Sequence, residues 1–137
     1  MRIAVVFFPE KNRDKLLQIS KALAEGIESQ GHQVDIVDGQ RDVNTKLTIY
    51  EYIAVGTECI SFIGGKIPEK VKLFLASSGI VAGKGCFAYI IKKGFGTAKA
   101  LNRLMKVMES EGMFLRFSEI LSSPEEAKEI GKRLIIR

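Results

Sequence analysis

Arg2-Ile3-Ala4-Val5-Val6-Phe7-Phe8, followed by Pro9-Glu10-Lys11-Asn12-Arg13-Asp14 and a helix-patterned run to Gly31, is the stretch whose reading decides the fold. The first segment is almost wholly apolar and rich in β-branched residues, which predicts a strand covered on both faces, as in a parallel sheet. Asn12 stands where the next helix needs a cap, and Asp14 in its first turn meets the positive end of the helix. Leu16, Ile19, Leu23 and Ile27 then recur at helical spacing, with Leu17 and Ala24 widening the stripe and Gly31 as the stop. Strand, short loop and amphipathic helix make the first half of a βαβ unit.

The alternation continues downstream. Gln33-Val34-Asp35-Ile36-Val37 alternates polar and apolar residues, which suits an edge strand with one wetter face. Residues 38–48 are polar and lack a helical period, so a second helix there is short or replaced by a loop. Tyr52-Ile53-Ala54-Val55-Gly56-Thr57 reads as a buried third strand, and Pro68 as the first residue of a helix burying Val71, Phe74 and Leu75. Cys86 to Ile91 forms a fourth strand. The helix after Gly96 is expected to bury Ala98, Leu101, Leu104, Met105 and Met108, and Gly112 ends it. Met113 to Phe117 supplies a fifth strand. Ser123-Pro124-Glu125-Glu126 is a capping box opening a last helix with Ala127, Ile130, Leu134 and Ile135 on its buried side.

Strands alternating with helices imply an α/β protein with helices on both faces of a parallel sheet. Right-handed crossovers then give a doubly wound, five-stranded sheet of order 2-1-3-4-5. Residues 1–137 are expected to form one domain, since 46% hydrophobic content suffices for a full core. The switch point lies between the first and third strands at their carboxyl ends, where the loops 8–12, 57–66 and 92–97 converge.

No apolar run is long enough to span a bilayer and the N-terminus lacks an export signal, so a cytoplasmic protein without membrane association is expected. Two cysteines and one histidine make neither a disulfide framework nor a metal cluster. A net charge of +5 fits a solvated lysine-rich exterior or a docking face for an acidic redox or regulatory protein. No RNA-recognition signature, zinc finger or helix-turn-helix spacing favours nucleic acid.

Three segments carry a resemblance. Asn12-Arg13-Asp14-Lys15-Leu16 resembles the first helix start of flavodoxins. Gly56-Thr57-Glu58-Cys59-Ile60, with Gly64-Gly65 and then Ile67 to Leu75, resembles their third strand, flavin-flanking loop and following helix. Lys92-Lys93-Gly94-Phe95-Gly96-Thr97 resembles their fourth-strand loop. The likeness spans almost the whole chain. It implies FMN in the crevice and electron transfer or flavin-dependent redox chemistry. Pro9, Glu10, Lys11, Asn12 and Arg13 would form the phosphate loop, holding the phosphate on backbone N–H groups. Thr57, Glu58, Cys59, Ile60 and Phe62, with Lys93, Gly94, Phe95 and Gly96, would flank the ring.

Two departures stand beside the likeness. The hydroxyl positions of the phosphate loop read Phe8, Glu10 and Arg13, and its glycine reads Lys11. A hydrogen bond to a charged group contributes about 1.5–3 kcal/mol, so losing two costs about 3–6 kcal/mol unless Lys11 and Arg13 supply replacement charge. The chain has no tryptophan, and Ile60 falls where the family often has tyrosine, leaving Phe62 and Phe95 as the ring-side aromatics. These departures equally describe a flavodoxin-fold binding or regulatory module that has lost flavin binding.

Single residues in the crevice add a third reading. Glu58 could act as an acid or base, though no second carboxylate is placed to pair with it. Cys59 beside Lys66, Lys92 or Lys93 is either a reactive thiolate or an inert core thiol. The lysine pair Lys92 and Lys93 either holds an anion or keeps a loop solvated. Together they would suit a non-flavin enzyme acting on a small anion. There is no Ser-His-Asp arrangement, no dinucleotide GxGxxG and no GxxxxGK[ST] segment, and His32 reads as a turn residue.

Overall fold

The computed structural model describes residues 1–61 and 63–136. Its elements are β1 (Arg2–Phe8), α1 (Arg13–Glu28), β2 (Gln33–Asp38), β3 (Tyr52–Thr57), α2 (Lys70–Ala76), β4 (Gly85–Ile91), α3 (Thr97–Ser110), β5 (Phe114–Leu121) and α4 (Pro124–Arg133). All strand pairs are parallel and the order is β2-β1-β3-β4-β5. The doubly wound sheet expected from the alternation is what forms. Among the described residues no helix is long and apolar enough to cross a membrane.

Two-residue periodicity divides the core into two layers. Ile3, Val5 and Phe7 of β1 face α1 and α4, packing with Leu16, Ile19, Leu23, Ile27, Ala127 and Leu134. Ala4, Val6 and Phe8 face the other way, onto Val71, Phe74, Leu75, Leu104 and Met108. Central strands β1, β3 and β4 are therefore covered on both faces, which is why they read as unbroken apolar runs. Edge strands β2 and β5 stay half wet.

Several boundaries differ from the sequence reading. Pro68 lies two residues before α2, and its carbonyl accepts from Val71 N at 3.2 Å. Ala98 is exposed, because α3 turns Thr97, Ala100, Leu104 and Met108 inward instead. β5 continues past Phe117 to Leu121, since an edge strand tolerates Ser118 and Glu119 where a central one would not. Ile135 is 68% exposed, for α4 stops at Arg133 and the stripe ends with it. Residues 39–51 make turns and no helix. Of the expected capping box the first half forms, Ser123 Oγ accepting from Glu126 N at 3.2 Å, while Glu126 Oε1 accepts from the amide one residue before the cap, Ser122 N, at 3.1 Å.

Helices α1 and α4 meet backbone to backbone through Gly26 and Gly131. A Cβ on Gly26 would fall 2.2 Å from the Lys128 carbonyl oxygen, and one on Gly131 would fall 2.4 Å from that of Leu23. Alanine normally improves a helix interior by about 1 kcal/mol over glycine, but here it must force two backbones apart. Gly131→Ala should therefore lower stability by about 1–3 kcal/mol in urea denaturation. Glu129→Ala, on an exposed turn of the same helix, should change it by less than about 0.5 kcal/mol.

Candidate functional site

The crevice is built by β1 and β3 ending side by side, with Phe8 paired to Thr57. Thr57 is buried, and its Oγ1 donates to the Phe8 carbonyl at 3.0 Å, tying the two strand ends together. The Phe8 ring turns into the core, edge-on to Phe74 with centroids 5.4 Å apart. Pro9 is buried and the side chains of Glu10 and Lys11 are exposed.

The next residue of β3's exit, Glu58, carries the central feature. Its side chain is fully buried, and its carboxylate accepts from three successive backbone amides of the first loop. Glu10 N donates to Oε2 at 2.7 Å and Lys11 N to Oε1 at 2.8 Å; Asn12 N lies 3.0 Å and 3.2 Å from the two oxygens. Helix starts leave N–H groups without intrahelical partners, and the positive end of the dipole favours an anion there. The anion at the start of α1 is thus a side chain of the same protein.

This arrangement corrects the sequence reading at several residues. Asn12 occupies the cap position but makes no side-chain cap bond; Glu58 takes its place as acceptor. Glu10 does not aim its carboxylate inward. Glu58 is no solvent-facing acid or base, because both its oxygens are engaged. Arg13 is not free to replace lost hydroxyls, since its guanidinium pairs with Asp38 and also donates to Gln40. Burial alone would raise Asp38, but the Arg13 side chain and the amides of Gln40 and Arg41 outweigh it and hold that carboxyl below its ordinary value.

The two loops expected to flank a ring pack on each other. A Cβ on Gly96 would lie 3.0 Å from Gly65 N, 3.1 Å from Cys59 Sγ and 3.2 Å from the Ser61 carbonyl oxygen, so glycine is what lets the loops touch. Cys59 is fully buried and its thiol donates to the Ser61 carbonyl at 3.0 Å. Ile60 N donates to the Lys66 carbonyl at 2.9 Å, closing the same loop. Thr97 Oγ1 accepts from Lys93 N at 2.9 Å and gathers the carbonyls of Lys93 and Gly94, with Gly94 at φ +60°. The side chains of Lys92 and Lys93 are exposed. Phe95 is 81% exposed, and Phe62 lies outside the described residues.

The structure therefore brings together the amides of Glu10, Lys11 and Asn12 with Thr57 and Glu58, and separately Cys59 with Gly96. It does not bring Arg13 or the Lys93 side chain to the anion position. Among the described residues no cluster of His, Cys, Asp and Glu could hold a metal ion. The Glu58 plug escaped the sequence because its partners are main-chain donors 46–48 residues away. A usable signal existed: a carboxylate immediately after a wholly buried strand, opposite a loop stripped of hydroxyls.

No known family's sequence model matches this chain, and no curated protein matches it. Solved structures do. Oxidised flavodoxin 1 from Bacillus cereus superposes with a TM-score of 0.71 at 15% identity, covering 97% of this chain and 99% of that one. A flavodoxin from Streptococcus pneumonia TIGR4 gives 0.71 at 18% identity, covering 96% and 93%. An archaeal flavodoxin gives 0.68 at 19% identity, covering 96% and 94%. The chain has the flavodoxin-like fold; at these identities the likeness extends to architecture alone.

The phosphate end of FMN does not fit this crevice as it stands. The donors it would use are taken by a carboxylate of equal sign, and the loops after β3 and β4 approach each other at Gly96. Thiol chemistry is equally shut off. Cys59 has no exposure, and burial, with the Glu109 charge adding to it, pushes the Cys86 thiol up to about 12. Neither cysteine should react with a thiol-specific disulfide reagent in the native protein, and both should react once it is unfolded; labelling of native Cys59 would show the loop to be open.

Proposed function

We propose that this protein is a flavodoxin-fold binding or regulatory module that works without a resident flavin. One observation carries the reading: the anion position at the start of α1 is filled by Glu58, buried and held by three amides. Charge-assisted hydrogen bonds contribute about 1.5–3 kcal/mol each, and breaking a buried ionic contact by deleting one partner costs about 3–5 kcal/mol. A phosphate monoester must first expel that carboxylate. If the open form lies 3–4 kcal/mol above the closed one, apparent affinity falls roughly 150- to 900-fold. The basic exterior favours an anionic counterpart for such a module, bound elsewhere on the surface.

A second reading has one observation in its favour. The three amides still converge on a single point, as an FMN phosphate would need, so withdrawal of Glu58 would restore an anion cradle for an electron-transfer flavoprotein. The two readings separate on the visible spectrum. On the first, freshly purified protein is colourless and leaves the fluorescence of added FMN unquenched. A yellow protein that releases FMN on denaturation would establish the second.

Glu58→Ser tests the carrying observation directly. The variant should lose about 3 kcal/mol of stability. It should also acquire what the parent lacks: thermal stabilisation by millimolar inorganic phosphate as the freed amides take up the anion. Equal stabilisation of parent and variant by phosphate would mean that Glu58 does not block the position.

A further inference from the structure

The net charge of this protein is concentrated in one place. Between residues 66–72 and along α3 stand Lys66, Lys70, Lys72, Lys99, Arg103 and Lys106, against only two carboxylates, Glu69 and Glu109. Four of the five net positive charges of the chain therefore lie on this loop and these two helices. The ion pairs of the described residues lie elsewhere. They join Arg2 to Asp35, Arg13 and Arg41 to Asp38, Lys128 to Glu25, and Lys132 and Arg133 to Glu129. The cations of α4 pair with acids of α1 and α4, whereas among the described residues no ion pair falls on α2 or α3.

Helix energetics do not account for this pattern. Lys99, Arg103 and Lys106 are spaced by four and three residues, so they form one like-charged row, each neighbour pair costing about 0.2–0.5 kcal/mol. Lys99 stands in the first turn, where the dipole disfavours a cation, while the last turn holds no basic residue. The row opposes the helix that bears it. A partner outside the chain would make use of it.

The cations also border a cavity. Lys66, Lys72, Arg103 and Lys106 rim a cleft of about 550 Å³ between α2 and α3, with Ile60, Ile67, Pro68 and Val107 supplying apolar wall. Glu69 is the sole carboxylate among its lining residues. Volumes of about 300–1,000 Å³ are those of small-molecule sites, and this one combines apolar wall with four cations against a single carboxylate. Guanidinium and ammonium groups around such a space match phosphoryl oxygens, Arg103 as a planar fork and the lysines as point charges.

We propose that this cleft binds an organic polyphosphate, its phosphates on Lys66, Lys72, Arg103 and Lys106 and its apolar or flat body against Ile67, Pro68 and Val107. None of the residues lining this cleft is a partner of the Glu58 carboxylate, so the proposal stands whether or not the Glu58 position admits phosphate. It supplies the anionic counterpart that a flavin-free module needs.

Titration calorimetry with ATP as the probe, in low and high salt, tests the assignment on the full chain. Binding should appear with a dissociation constant below roughly 0.1 mM at low salt and weaken as salt rises. Adenosine, which lacks phosphates, should not bind measurably. The double reversal Lys72→Glu, Arg103→Glu should weaken ATP at least about tenfold. Lys15→Glu with Lys21→Glu makes the same change in net charge on exposed positions of α1, across the sheet, and should alter affinity by less than about twofold.

Absence of ATP binding up to roughly 5 mM would overturn the proposal. So would equal weakening by the two double reversals, which would reduce the effect to net charge. Binding of a polyglutamate peptide at this face with no binding of ATP would overturn it in favour of an acidic protein partner. A Glu58→Ser variant that binds ATP like the parent would show that failure at one site is not failure at the other.

Discussion

The Glu58 carboxylate on three amides of the first loop is the contact around which the rest of the functional end is arranged. The amides of a loop leading into a helix cannot be buried unpaired, and a carboxylate cannot be buried without donors. Each resolves the other's cost. The register of β1 and β3, Phe8 opposite Thr57, delivers the two groups to the same point, and the Thr57 hydroxyl on the Phe8 carbonyl keeps the strand ends from parting. With its acceptor supplied from β3, the loop needs neither glycine nor a hydroxyl side chain. Phe8, Pro9 and Lys11 can stand where a phosphate-holding loop could not tolerate them.

That exchange accounts for the neighbouring residues as well. Arg13 has no anion to serve at the crevice and turns to Asp38 and Gln40, where it orders the chain leaving β2. The Asp38 carboxylate also accepts from the amides of Gln40 and Arg41, so the turn after β2 takes the place of a helix. The loops after β3 and β4 close over Cys59 through Gly96. An ionic contact at one strand end thus goes with loops that touch beside it at Gly96.

Much of the fold was legible because parallel central strands must be apolar on both faces. Arg2 to Phe8, Tyr52 to Thr57 and Cys86 to Ile91 admit no other reading, and the short links between them fix the winding. What failed was local. Alanine marks no face, so the sequence does not distinguish the exposed Ala98 from the buried Ala100, and the apolar Ile135 extends the stripe of a helix that ends before it. Ser118 and Glu119 hide the second half of β5, because one side of an edge strand can remain in water. The site was less legible than the fold for a different reason. Side-chain types appear in a sequence, whereas the donors that hold Glu58 are backbone groups that every residue but proline possesses.

The two halves of the molecule treat charge in opposite ways, and the difference follows from where anions are available. Around the crevice the positive potential of the α1 start is cancelled from within by Glu58, and the guanidinium of Arg13 by Asp38. On α4, Lys128 finds Glu25 of α1, and Lys132 and Arg133 find Glu129. The cleft between α2 and α3 gathers four cations around apolar wall with Glu69 as the lone opposing charge in its lining. A row of like charges that weakens its own helix, beside a cavity of ligand size, is hard to explain as a solubility device. Cations needed only for solubility could be dispersed among acids at no cost to the helix. The position at the start of α1 is filled by Glu58 and the uncompensated charge sits on another face, so the proposed recognition surface lies where that charge is.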